Sequence, residues 1–161
     1  MNVQLIHNVF ITLHAAAATI SFFTGSFLIL SKGSTQIQQW YALYWWSLIG
    51  MVVLLAGAIL VYWIEYTRVE RIIFPGLFIL GLYMLYRARN AGRLLEAQPN
   101  NWKYNYVEHI GFTLISLFEG FIIVSGLNSG FPGWLVAVLA ILGVLLGRWL
   151  IGFAQRRVAN E

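Results

Sequence analysis

Apolar residues run through this chain in five long, nearly continuous stretches that are separated by short polar segments. The stretches cover about 8–30, 39–63, 71–87, 107–127 and 133–154. A helix crosses roughly 30 Å of hydrocarbon with about 20 apolar residues, so each stretch is a candidate membrane span. None shows the polar alternation of a barrel strand. The pattern therefore predicts an all-α, polytopic membrane bundle of five transmembrane helices, with residues 1–161 forming a single transmembrane domain.

Composition supports a membrane environment and excludes several enzyme classes. Hydrophobic residues make up 60% of the chain and charged residues 10%, which is too apolar for one soluble core. The chain has no cysteine, so it forms no disulfide, Cys-ligated zinc site, iron–sulfur cluster or thiol nucleophile. It also has no aspartate, no phosphate loop and no HExxH motif. We therefore predict no catalytic residue and no protein metal site, while enzymatic activity itself stays open.

Charge predicts the orientation of the spans. The first residues, MNVQLIHN, lack a basic region, so we expect no removable signal peptide. Basic residues collect at one set of span ends, at Lys32, Arg87, Arg89, Arg93, Lys103, Arg156 and Arg157. Such an excess marks the cytoplasmic side, which predicts an outside N-terminus, a cytoplasmic C-terminus and residence in the inner (plasma) membrane. This topology explains the net charge of +4 without nucleic-acid binding.

Two titratable residues lie deep inside predicted spans. His14 lies roughly 10 Å below the outer boundary, and Glu119 lies roughly 13 Å below it, at 1.5 Å of rise per residue. An unpaired carboxylate is costly at that depth, so Glu119 should turn inward, with His14 as its nearest partner by depth. A purely structural explanation is a protonated Glu119 that is hydrogen-bonded to a hydroxyl or to the imidazole. The functional alternatives are that Glu119 takes part in a proton-coupled step or anchors an otherwise apolar ligand.

The histidines limit which tetrapyrroles the chain can bind. His109 opens the fourth span at the cytoplasmic side, where Glu108 and Arg148 are candidate neighbours. A bis-histidine haem needs two imidazoles at one level, and the predicted spans put His14 and His109 in opposite leaflets. A single axial ligand remains open for haem or a chlorophyll-type pigment, because residues 15–18 after His14 are all alanine and leave room for a flat ring.

Aromatic and small residues indicate which parts of the helices lie at the membrane interface and which contact other helices. Tyr and Trp cluster at both ends of the second span, as in an interfacial belt, and Trp45 lies deep enough to contact a partner or cofactor. Gly143 and Gly147 form a GxxxG pair in the fifth span, and Ser116 and Gly120 share that spacing in the fourth. These positions predict close helix contacts, either within the chain or with other membrane subunits or a second copy.

Several segments resemble a family of uncharacterised bacterial multi-pass membrane proteins. The segments are the early His14, SKGSTQIQQW before the second span, GLYMLYRARNAGR at the end of the third, VEHIGFTLISLFEGF and FPGWLVAVLAILG. The resemblance implies a second histidine before the second span, where this chain has Gln38 or Gln39 instead. It implies no particular reaction.

Two classes of function follow from these residues. One is a non-catalytic membrane protein that binds a hydrophobic small molecule or serves as an accessory subunit of a larger membrane complex. The other is a redox or proton-handling protein that holds haem, a chlorophyll-type pigment or quinone through His14 and Glu119, with His109 and Trp45 as further candidate contacts.

Overall fold

The computed structural model of the chain describes residues 2–30 and 34–159, which form five helices and no strand. The helices are α1 (Val3–Leu30), α2 (Ser34–Tyr62), α3 (Glu70–Ala97), α4 (Trp102–Asn128) and α5 (Gly133–Ala159). Each is long and apolar enough to cross a membrane, which confirms the all-α, five-span prediction. Lys32, which contributed to the predicted orientation, lies outside the described residues, as does the side chain of Arg157.

The helices extend beyond the apolar stretches because hydropathy marks the bilayer and not the end of a helix. α3 continues to Ala97, well past residue 87, where its apolar stretch ends. Gln98 and Asn101 then adopt positive φ angles of 44° and 60°, which end α3 and separate it from α4. α4 in turn begins at Trp102, before its apolar stretch opens at 107.

Local hydrogen bonds explain three of the other helix boundaries. Asn2 caps α1, because the Gln4 backbone N–H donates to its side-chain oxygen at 3.1 Å. Thr67 and Glu70 form a reciprocal capping box at the start of α3, with N–H to side-chain distances of 2.8 and 3.3 Å. Gly130, at a φ of 73°, makes the left-handed turn that ends α4, and Phe131 N–H bonds back to the Gly126 carbonyl at 3.1 Å.

The chain divides into two compact units, Met1–Tyr86 and Arg87–Glu161, and the boundary falls within α3. In the first unit α1 and α2 form an antiparallel hairpin, in which Phe10 packs on Gly57 and Phe27 contacts Trp40. In the second unit α4 and α5 form another antiparallel hairpin. The single transmembrane domain over residues 1–161 stays a prediction.

Candidate functional site

The face of α1 that meets α2 carries a polar side chain every seven residues, at His7, His14 and Ser21. His7 Nδ1 lies 3.3 Å from the Ala58 carbonyl oxygen, and His14 Nδ1 lies 2.8 Å from the Met51 carbonyl oxygen. Further along, Ser21 Oγ lies 2.8 Å from Ser47 Oγ. Because seven residues make nearly two helical turns, this spacing keeps the polar groups on one seam.

The bond to Met51 determines which nitrogen of His14 carries the proton. A carbonyl oxygen can only accept a hydrogen bond, so His14 Nδ1 is the donor. In the neutral ring the lone pair then belongs to Nε2. Among the described residues, no hydrogen bond reaches Nε2. The same pattern, with Nδ1–H on a backbone carbonyl and Nε2 available, orients histidines that ligate metals through Nε2.

Four alanines follow the half-buried His14 along α1. Ala15 and Ala16 are exposed, and Ala17 and Ala18 are half-buried. The fully buried residues of α1 all lie further along, at Ser21, Thr24, Gly25 and Leu28. His14 therefore precedes the fully buried part of α1, in a stretch in which the next four side chains are all small.

The other α2 positions considered from the sequence, Trp45, Gln38 and Gln39, make no described contact with His14. Trp45 is half-buried on α2, and its neighbour Trp46 is 68% exposed. Gln38 and Gln39, which stand where the resembled family carries a second histidine, are both exposed. The structure links none of these side chains to His14 through a described contact.

Glycines and large side chains alternate across the contact between α4 and α5. Ile151 packs on Gly111, Ile115 packs on Gly147, and Val136 packs on Gly126. At the fourth such position the side chain that fills the space above the glycine is Glu119, whose Oε1 occupies the place a Cβ on Gly143 would need. A carboxyl group thus stands where the other three positions have Ile or Val.

Glu119 is 7% exposed, and neither of its carboxyl oxygens has a hydrogen-bond partner among the described residues. An ionised carboxylate without a partner inside a membrane costs several kcal/mol. The burial of Glu119 and its contact with Gly143 agree with the inward orientation that the sequence predicts. Its predicted hydrogen bond to His14 would join residues of different units and stays a prediction.

At the start of α4 the structure pairs Glu108 with a residue that the sequence analysis did not select. Arg87 Nη2 donates to the Glu108 carboxylate at 3.2 Å and to the Glu108 carbonyl oxygen at 3.3 Å. The Arg87 guanidinium also lies 5.0 Å from the centre of the Phe112 ring. His109 is half-buried, with Nδ1 lacking a partner in the described part of the chain, and Arg148 is exposed.

The four small-residue positions have different environments. Gly143 and Gly147 are helix contacts, as their spacing predicted, and they contact α4 of the same chain. Ser116 is buried and donates to the Phe112 carbonyl at 3.0 Å, whereas Gly120 has open space beside it. Contact with other membrane subunits or a second copy through these residues stays a prediction.

Sequence reasoning missed the acceptors in the α1–α2 seam because they are backbone carbonyls. Every residue carries one, so Met51 and Ala58 have no distinguishing side chain. The seven-residue spacing of His7, His14 and Ser21 was the available signal, since it indicates one helix face in contact with a neighbour. Arg87 was visible only as one of several basic residues near a span end.

No family model, curated protein or solved structure matches the chain. The resemblance to the bacterial membrane protein family therefore stays a prediction. Within the described residues, no group of three or more His or Glu side chains is arranged to hold a metal ion.

Proposed function

We propose that this chain is a non-catalytic integral membrane protein that binds a hydrophobic small molecule beside His14. The observation that carries the proposal is the hydrogen bond of 2.8 Å from His14 Nδ1 to the Met51 carbonyl. It holds the imidazole in one orientation and leaves Nε2 without a hydrogen-bond partner among the described residues, on a stretch of α1 that continues with four alanines. Apolar sites commonly combine a hydrophobic lining with a few fixed polar groups in this way.

The ligand in this proposal is a bilayer-soluble molecule with an electron-deficient or hydrogen-donating atom. A neutral imidazole nitrogen accepts a hydrogen bond, and it also coordinates a metal held in a macrocycle. The exposed Ala15 and Ala16, which follow His14 in the chain, add little side-chain bulk to this part of α1. A bilayer-soluble ligand reaches a site in a membrane span from the lipid, so the proposal requires no aqueous channel.

Co-purification from native membranes tests this proposal. The full chain is purified in mild detergent as wild type, His14→Ala and the control His7→Ala, and bound molecules are extracted and identified by mass spectrometry. His7 is the matched control because it lies on the same helix face and also bonds to an α2 carbonyl. A molecule enriched over bulk lipid should persist in His7→Ala and be lost in His14→Ala.

The His14→Ala protein should remain folded, because one such hydrogen bond contributes only about 1 kcal/mol. His14→Gln adds a second comparison, since its amide can donate to the Met51 carbonyl but lacks an imidazole. Equal recovery of the same molecule from wild type and both His14 variants would contradict the proposal. So would a wild-type preparation that holds bulk lipid alone.

A redox form of the proposal has one specific observation in its favour, which is the availability of Nε2 for axial ligation. Haem or a chlorophyll-type pigment would give the wild-type protein a visible absorption band that His14→Ala removes. Quinone would give no such band and would be found by extraction. If the protein handles protons, Glu119 would take part together with His14. If it is an accessory subunit, a partner protein would be found in the same preparation.

A further inference from the structure

We propose that Glu119 is a proton-binding site within the membrane, and that its neutral form keeps α4 and α5 closed against each other. This proposal is independent of the one on His14, because its residues belong to the second unit. It concerns a position in which a carboxyl group occupies a space that is otherwise filled by aliphatic side chains.

The first step is steric. The other large side chains at the glycine positions of this interface are Ile115, Val136 and Ile151. Each fills the space above a glycine without needing a polar partner. An uncharged carboxyl of similar width can fill the space above Gly143 in the same manner, with Ile122 as a further neighbour of that space.

The second step is electrostatic. Both carboxyl oxygens of Glu119 are buried and lack partners in the described part of the chain, so nothing there compensates a negative charge. The charged or titratable residues closest in sequence to this part of the contact are Glu108 and His109 on α4 and Arg148 on α5, and Arg87 of α3 lies beside Glu108. Arg87 is paired with Glu108, and Arg148 is exposed.

These two steps give the two forms of the site different structures. With the proton bound, the Glu119 side chain is uncharged and similar in width to the aliphatic side chains at the other glycine positions. α4 and α5 then remain in contact. When the proton leaves to water, the carboxylate needs water or a cation beside it. The contact at Gly143 must then open. Binding and release of one proton thereby alter the separation of two helices.

A hydrophobic carbodiimide, dicyclohexylcarbodiimide, tests the proton site directly, because it modifies protonated carboxyl groups that it reaches through the membrane. In wild-type protein reconstituted in liposomes, peptide mass spectrometry should place the adduct on Glu119. Its extent should fall by about tenfold per pH unit above the midpoint of the titration. Glu119→Gln should lose this adduct. Absence of an adduct on Glu119 at every pH, or an extent independent of pH, would overturn the proposal.

Helix opening is tested with cysteines, since the chain has none of its own. Ile151→Cys places a thiol in the α4–α5 contact opposite Gly111. Its maleimide reaction is measured with Glu119 intact and with Glu119→Gln, and Ser129→Cys in the connecting turn corrects for thiol ionisation. The corrected rate should rise severalfold with pH only when Glu119 is intact. Equal pH dependence in both proteins would overturn the coupling to helix opening.

Discussion

Two of the polar residues within the spans, His14 and Glu119, are held in position in different ways. His14 has a hydrogen bond to a backbone carbonyl at 2.8 Å, so its orientation follows from its partner. Glu119 has no such partner among the described residues and is positioned only by the shape of the helix contact. The first arrangement suits a group that must present a nitrogen to a ligand. The second suits a group whose charge state matters.

Tyr66, which lies outside the spans, provides a pH prediction at the residue scale. Its side chain is 6% exposed and contacts the rings of His7, Tyr62 and Phe74. Burial, followed by repulsion from Glu70 and Tyr62, raises the pKa of Tyr66 from 10.0 to about 12. Because the folded-state pKa is the higher one, its contribution to stability is complete below pH 10.0 and is lost as the pH rises towards about 12.

The measurement is thermal unfolding in detergent across this alkaline range, together with tyrosinate absorbance. Tyr66→Phe should remove the part of the pH dependence that belongs to this hydroxyl. The difference in absorbance between wild type and Tyr66→Phe should titrate near 12. A difference that titrates at the ordinary value of 10.0 would show that Tyr66 is not shielded as described.

At the scale of helices, the α4–α5 contact depends on glycines at defined positions. Gly143→Ala should lower the free energy of unfolding by about 1–3 kcal/mol, because the added methyl overlaps the Glu119 carboxyl. Combining it with Glu119→Ala should remove most of that loss, since the overlapping group is then gone. Equilibrium unfolding in mixed micelles measures both values.

Gly152→Ala is the matched control, because Gly152 lies on the same helix and has nothing within 4 Å of an added Cβ. Its effect should be neutral or slightly stabilising through helix propensity. Equal destabilisation by Gly143→Ala and Gly152→Ala would contradict the glycine contact. So would additivity of Gly143→Ala with Glu119→Ala.

Sequence patterns predicted the helices but not the individual atoms that their polar side chains contact, for a physical reason. Span length and hydropathy depend on the bilayer, so all five helices could be found without knowing their neighbours. Depth in the membrane is only one coordinate, however, and it says nothing about the direction in which a side chain points around its helix. Depth suggested Glu119 as the partner of His14, whereas the described hydrogen bond of His14 goes to the carbonyl of Met51. The GxxxG spacing predicted that Gly143 lies in a helix contact, but it did not predict that the Glu119 carboxyl packs against it.

For the whole molecule, five spans are an odd number, so the two termini should lie on opposite sides of the membrane. The basic span ends favour a cytoplasmic C-terminus and an outside N-terminus. We therefore expect the α3–α4 connection, residues 98–101, to face the cytoplasm and the α4–α5 connection, residues 129–132, to face outward. Assignment to the inner (plasma) membrane rests on the same reasoning and stays a prediction.

Single cysteines test this orientation, using a maleimide that cannot cross membranes. Ser129→Cys should react in intact cells, and Asn100→Cys should react only after the membrane is opened. Inverted vesicles should reverse the two results. Reaction of Asn100→Cys in intact cells, with protection of Ser129→Cys, would show the opposite topology.

The turn at Gly130 has a consequence for biosynthesis. Residues 129–132 are all that joins α4 to α5, and the left-handed glycine reverses the chain at once. Two such closely tethered helices can leave the translocation machinery side by side as one inserting hairpin. Glu119 would then contact Gly143 of α5 before it is exposed to lipid acyl chains. A longer connection would instead leave Glu119 exposed to lipid while α5 was still being synthesised.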